Sequence, residues 1–217
     1  MHTPKRFLLR AYFLPLALAL ACVFAAAGPA LAVDLKDMVF NPGQLKPVDS
    51  VLKVRPGQRA PNFALPGVVV GPAGSGQSAR TVRLADYLGK KNVVLSFVPA
   101  AFTPICSGQW PGYNMARDLF EDHDAVLLGI SEDNLPTLYA WVTEMGGLWF
   151  PVLSDFHPHG AAARAFGLLR GDDMAERAIV IIDKRGIVRF ARAFDINTRP
   201  DLGLIAAELD KIAPPKR

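Results

Sequence analysis

NVVLSFVPAAFTPICSGQ, residues 92–109, decides the fold. Its first half, Asn92 to Val98, is an unbroken apolar run rich in β-branched residues, the mark of a strand covered on both faces. Its second half turns at Pro99, passes Thr103, and enters a helix at Pro104, a residue favoured in a first helical turn. Cys106 therefore stands where a buried strand hands over to a helix N-terminus.

Working outward, the chain alternates. Toward the N-terminus, NFAL and GVVV read as short extended pieces and GPAGSGQSAR as a flexible turn, whose Gly and Ser spacing matches no phosphate-binding fingerprint. Toward the C-terminus, the helix runs from about Thr103 to Glu121, with Pro111-Gly112 expected to bend or interrupt it. AVLLGIS, residues 125–131, is a second buried strand. Asn134-Leu135-Pro136 opens a helix with Leu135, Leu138, Val142 and Met145 on one face, stopped by Gly146-Gly147. A short strand near Phe150–Leu153 and a short helix at Gly160–Phe166 follow. Arg177–Ile182 and Ile187–Ala193 form a hairpin across Asp183-Lys184-Arg185-Gly186. A last helix starts around Thr198-Arg199-Pro200, with Leu202, Ile205, Leu209 and Ile212 along one side. Strands separated by helices, closing on a hairpin and a helix, predict an α/β fold with a mixed central sheet flanked by helices.

The first residues have another use. Lys5, Arg6 and Arg10 precede an apolar run from Ala11 to Ala27 and then Ala30-Leu31-Ala32, the order of a secretory signal peptide over residues 1–32. A retained membrane anchor is the competing reading of the same run. Residues 33–55 lack a clear period and read as an N-terminal extension, with the domain proper over 56–213. The leader holds three of the 24 basic residues and none of the 20 acids, leaving 21 against 20, a net charge of +1. No basic stripe remains, so nucleic acid is not expected as a partner, nor is a membrane once the leader is gone.

Of the two cysteines, Cys22 lies in the leader, so the mature chain keeps Cys106 alone. That excludes an internal disulfide, a CxxC redox pair and a four-ligand thiolate metal site. A lone exported thiol is either a partner in a mixed disulfide or a reactive group. Only the thiolate attacks, and a helix N-terminus favours it. Thr103 offers a hydroxyl as donor and acceptor, Pro99 would close the loop over the sulfur, and a guanidinium from elsewhere would complete the site. A buried free cysteine acting as a small hydrophobe is the plainer alternative. His157 and His159 on a proline-containing loop lack a third ligand, so no metal is expected. His123, among Glu121, Asp122 and Asp124, reads as part of a solvated turn. Asp133, Asp172 and Asp173 read as loop or cap acids, and Trp141 and Trp149 as core or dimer-contact residues.

These residues resemble the active-site segment of the peroxiredoxins, Pro-x-x-x-Thr-x-x-Cys, met by Pro99, Thr103 and Cys106. PGQRAPNFALPG, VLLGISEDN, FPVLSDFHPHGAAARAFGLL and ERAIVIIDKRGIVRF are similar to successive segments of that family, and the last places Arg177 where the family keeps its catalytic arginine. The SDFHPHGAAARAFG stretch looks closest to the one-cysteine alkyl hydroperoxide reductase E type. The resemblance implies a thioredoxin-like fold and reduction of hydrogen peroxide or organic hydroperoxides, with no metal or organic cofactor. Cys106 would become a sulfenic acid, with Thr103 and Arg177 holding the peroxide. Pro111 stands where some members carry a resolving cysteine, so an external thiol would close the cycle. Gln109 stands where several relatives carry an acid or histidine and is given only a pocket role. The resemblance also allows a homodimer, and the leader implies a periplasmic or secreted protein. The rival function is a thioredoxin-fold protein that binds a partner or forms a mixed disulfide without reducing peroxide. It would need Cys106 but neither Thr103 nor Arg177.

Overall fold

The computed structural model describes residues 35–71 and 76–213. The leader and its competing reading as an anchor lie outside the described residues. A helical turn α1 (Leu35–Met38) precedes an irregular segment, followed by β1 (Ala64–Val70), β2 (Gln77–Arg83), β3 (Asn92–Phe97), α2 (Pro104–Met115), α3 (Arg117–Asp122), β4 (Ala125–Ser131) and α4 (Leu135–Glu144). The chain continues through β5 (Val152–Ser154), α5 (Ala161–Phe166), β6 (Ala178–Ile182), β7 (Val188–Ala193) and α6 (Leu202–Asp210).

The seven strands form one mixed sheet in the order β2-β1-β5-β4-β3-β6-β7. β3 runs parallel to β4 and antiparallel to β6, so it sits inside the sheet. All six of its residues are buried, and alternation divides them between two cores. Val93, Leu95 and Phe97 face a layer that includes Ala162, Ala163 and Phe166 of α5. Val94 and Val98 face the layer of Cys106, Trp110, Trp141, Ile205 and Leu209, supplied by α2, α4 and α6. The apolar run read as a doubly covered strand is thus one, and the sheet-and-helix class follows from it.

Three local expectations need correcting. The helix expected from Thr103 to Glu121 is two helices, and it runs through Pro111. The break falls at Ala116, which leaves helical geometry at ψ 30° and caps both pieces. Pro111 forfeits one intrahelical bond, yet Trp110 and Tyr113 on either side are buried and hold the helix to the sheet. Next, NFAL and GVVV are not two pieces, because β1 runs through Pro66, and the end of the expected flexible turn, QSAR, begins β2 and pairs with β1. Proline is tolerated there because β5 pairs only with Gly67 and Val68 of β1. Residues 72–75 lie outside the described part. Finally, His123 is buried rather than solvated: one ring nitrogen meets the Leu119 carbonyl at 2.6 Å and the other Asp210 Oδ1 at 2.9 Å. It pins the end of α3 to α6.

Candidate active site

Thr103 ends the loop from β3 as the extended N-cap of α2, with Pro104 in the first turn. The turn's first bond runs from Ser107 N–H to the Thr103 carbonyl at 2.9 Å, leaving the amides of Ile105 and Cys106 without an intrahelical acceptor. Cys106, fully buried, lies among these positively polarised groups. From the next strand pair comes the guanidinium. Arg177, just ahead of β6 and 2% exposed, donates from Nη2 to Cys106 Sγ at 3.4 Å. Its other nitrogens are committed: Nη1 donates to Gln109 Oε1 at 2.6 Å and Nε to the Ile196 carbonyl at 3.0 Å. Three directions are fixed, so the planar group cannot swing off the sulfur.

Gln109 is one turn beyond Cys106 on the same face of α2. While its carbonyl receives Arg177, its amide donates to Ser96 Oγ at 3.1 Å, and Trp110 Nε1 donates to the same hydroxyl at 3.1 Å. Ser96 is the one polar residue in the interior of β3, and it ties the nucleophile's helix to the sheet. Trp141 Nε1 on α4 adds a bond to Ser107 Oγ at 3.1 Å. The loop before α2 is held as firmly. Asp133 Oδ2 at the end of β4 accepts from Ala101 N–H at 2.7 Å and from Ser131 Oγ at 2.5 Å. Phe102 takes φ 54°, a left-handed conformation costly for an aromatic residue.

All four residues picked from the sequence meet here. Pro99, Thr103 and Arg177 line one cavity of about 490 Å³, and Arg177 joins Cys106. Thr103 differs in one respect: its hydroxyl donates to the Ala100 carbonyl at 2.9 Å, so its lone pairs, rather than its proton, remain for a second partner. Sequence reasoning gave Gln109 too small a part and Ser96 none. A lone serine in an apolar run, and a glutamine three residues after the cysteine, were the available signals. It also passed over Glu176, fully buried beside Arg177, which accepts Arg170 Nη1 at 3.0 Å.

Burial pushes one neighbouring carboxyl far up. Glu132, 6% exposed, has its pKa raised to about 8 because desolvation outweighs the bond it accepts from Ala175 N–H at 2.8 Å. Asp155 and Asp133 add like charge in the same direction. Among the described residues no three His, Cys, Asp or Glu side chains form a metal-sized cluster, and no helix is long and apolar enough to cross a membrane.

The model of the AhpC/TSA family matches residues 56–191. This chain belongs to that family, the peroxiredoxins. It is 39% identical over 136 residues to alkyl hydroperoxide reductase E of Mycobacterium bovis, covering 62% of this chain and 82% of that protein. To the chloroplastic 2-Cys peroxiredoxin BAS1 of Hordeum vulgare it is 34% identical over 140 residues, 61% of this chain and 63% of the relative. Among solved structures, Mycobacterium tuberculosis AhpC superposes with a TM-score of 0.66 at 26% identity, covering 74% of this chain and 98% of that one. The reduced 2-Cys peroxiredoxin of Plasmodium vivax gives 0.64 at 28% identity, over 71% and 79%. The thioredoxin-like peroxiredoxin fold and an oxidoreductase activity of the thiol peroxidase type follow, and the partner-binding alternative is not favoured.

Proposed function

We propose that this peroxiredoxin works by a one-cysteine cycle in an exported compartment, with Cys106 as nucleophile and Thr103, Pro99 and Arg177 as its site. The observation that carries the reading is the three-point fixing of Arg177 with one nitrogen on Cys106 Sγ. In the first step the thiolate attacks the terminal oxygen of RO–OH. An S–O bond forms, the O–O bond breaks, and the leaving alkoxide takes a proton from solvent, giving a sulfenic acid and ROH. Arg177 faces both the sulfur's charge and the charge developing on the peroxide, and the free amides of the first turn support it. Thr103, with its proton held by Ala100, accepts from the peroxide hydroxyl. Pro99, which is buried, keeps water from the sulfur.

Resolution needs two external thiols. The first condenses with the sulfenic acid, releasing water and leaving a mixed disulfide. The second displaces Cys106 and carries away the oxidised pair. Support for this cycle is compositional: Cys22 falls within Met1–Ala32, whose charge and hydropathy order is that of an export signal, and position 111 is proline. Periplasmic or secreted placement rests on the same leader.

The test is the reaction of the reduced protein with one equivalent of hydrogen peroxide, followed by Trp fluorescence. Trp110 lies one turn from Cys106, its ring centred 4.9 Å from that of Trp141. Expected are fast quenching, one added oxygen by intact mass, no reaction for Cys106→Ser, and at least a roughly hundredfold loss for Arg177→Ala. Oxidation no faster than that of a free thiol, and indifferent to Arg177→Ala, overturns the site. A Cys22–Cys106 disulfide formed on oxidation of a chain that keeps its leader overturns the one-cysteine cycle.

A further inference from the structure

A second hollow opens where α2 meets the start of α6. Its volume is about 230 Å³, and none of the residues lining it lines the larger cavity at the peroxide site. α2 leaves room for it by carrying glycine at 108 and 112, one turn apart on the same face. Glycine within a helix costs stability relative to alanine. At Gly112 packing does not require it, because a Cβ there would meet nothing within 4 Å. At Gly108 Arg199 lies across the helix: its Nη1 would stand 3.0 Å from a Cβ and donates to the Gly108 carbonyl at 3.0 Å.

Three polar groups border this hollow with capacity that the fold does not use. Tyr113 is 2% exposed, and its hydroxyl has no hydrogen-bond partner among the described residues. Gln109 lies near it with both ends engaged, its carbonyl receiving Arg177 and its amide donating to Ser96. Burial raises the Tyr113 pKa above the ordinary 10 against the pull of Arg177, Gln109 and Arg199, so the hydroxyl keeps its proton. Besides Arg177, the groups acting on that hydroxyl are Gln109, Arg199 and Asp201. All three are walls of the hollow, so the hydroxyl stands at its edge. Arg199 bonds through Nη1 alone, and its Nε–Nη2 edge, which can take a carboxylate side-on, has no partner among the described residues. Asp201 caps α6 through Oδ1, which accepts from Gly203 N–H at 2.9 Å, and its other oxygen is unbonded there.

The two charges set the chemistry of the occupant. A simple anion would be drawn by Arg199 and repelled by Asp201, whereas a molecule carrying both charges meets each with its opposite. We propose that the hollow between α2 and α6 binds a small α-amino acid as its zwitterion, the carboxylate on Arg199 and the Tyr113 hydroxyl and the ammonium on Asp201. Leu202 supplies an apolar wall for a short side chain. The site is separate from the peroxide cavity and touches the network behind Cys106 only at Gln109.

Saturation-transfer NMR titrations compare three probes of similar size on the protein: L-alanine, propionate, which lacks the ammonium, and ethylammonium, which lacks the carboxylate. L-alanine should bind with a Kd on the order of 1 mM, well within the ceiling for so small a ligand. Each partial probe should bind at least roughly tenfold more weakly. Tyr113→Phe and Arg199→Gln should each weaken L-alanine at least roughly tenfold, the scale of a hydrogen bond to a charged group. The first removes a hydroxyl that bonds nothing in the protein, and the second alters an exposed side chain. Both should therefore melt with the wild type and be oxidised by hydrogen peroxide within twofold of its rate. Propionate binding as tightly as L-alanine overturns the zwitterion in favour of a simple anion. L-alanine binding that Tyr113→Phe leaves unchanged puts the ligand elsewhere and overturns the site, as does the absence of saturable binding. Oxidation that slows in both variants in step with lost binding overturns the separation from Cys106.

Discussion

Two regions meet over Cys106 and are held by opposite means. The floor, made by β3, α2 and the residue before β6, is buried, and its side chains bond in succession: Ser96 with Gln109, Gln109 with Arg177, Arg177 with Cys106. The roof, residues 40–50, is largely exposed and is held by its backbone to side chains that the domain extends: Asn197 to Leu45, and Glu176 to Asp49 and Ser50. A buried network specifies one geometry because every defect leaves a charge or dipole without water. A strap bonded through its main chain fixes the path of the chain while leaving its side chains free to differ.

Three consecutive residues join the two regions. Ala175 N–H is held by Glu132, Glu176 holds the strap, and Arg177 faces the sulfur. The largest effect should come from breaking the middle one. Glu176→Ala leaves Arg170, 2% exposed on its side chain, with only the partly exposed Asp172 at 3.2 Å as a carboxylate partner and frees the amides of Asp49 and Ser50. A loss of about 3–5 kcal/mol is expected, or roughly 6–20 °C in melting temperature for a chain of this size. Protease sensitivity should appear first between residues 40 and 50. Cleavage that begins elsewhere would mean the strap does not depend on Glu176.

The next effect is a pH dependence. Glu132 holds its proton to about pH 8 when folded, against an ordinary 4.5. Between those values the unfolded chain has released the proton and the native chain keeps it. The folded state therefore binds more protons, and stability falls as pH rises through the window. Glu132→Gln, which has no proton to lose, should melt with a flatter profile from pH 5 to 8. The difference between the two proteins should change by up to about 3 kcal/mol across that range. Parallel profiles would show that Glu132 is ionised in the fold.

The floor was legible in the sequence and the roof was not, for physical reasons. A strand covered on both faces must be apolar throughout, so Asn92–Val98 declares itself. A helix N-terminus after such a strand has few tolerable residues, and Pro104 is one. Arg177, 71 residues from Cys106 along the chain, was placed by resemblance alone, because no local pattern encodes that distance. The strap has no period to detect, since backbone bonds to Asn197 and Glu176 constrain its path rather than its side chains. Its integration shows at Gly167, at φ 74°, where a Cβ would lie 2.3 Å from the Val51 carbonyl oxygen. Gln109 was undervalued because its partner, Arg177, lies 68 residues away along the chain, just ahead of β6.

Gly129 tests whether the floor is as unforgiving as its bonding suggests. It lies on β4 opposite Ser96 of β3, beneath the indole of Trp110. A Cβ there would stand 2.8 Å from that ring, inside van der Waals contact. The ring has little room to yield, since it already packs against Trp141 and, with centroids 6.3 Å apart, Phe150. Its Nε1 is bonded to Ser96 as well. Gly129→Ala should therefore lift the helix rather than rotate the ring, at about 1–3 kcal/mol for an overpacked core. Because Trp110 is one turn from Cys106, the same shift should lengthen the contact with Arg177 and slow oxidation by hydrogen peroxide severalfold. Phe40→Ala on the roof should leave that rate alone. Loss of stability without loss of rate in Gly129→Ala would mean the Cys106–Arg177 contact tolerates movement of α2, and the division between a rigid floor and a permissive roof would fail at its most constrained point.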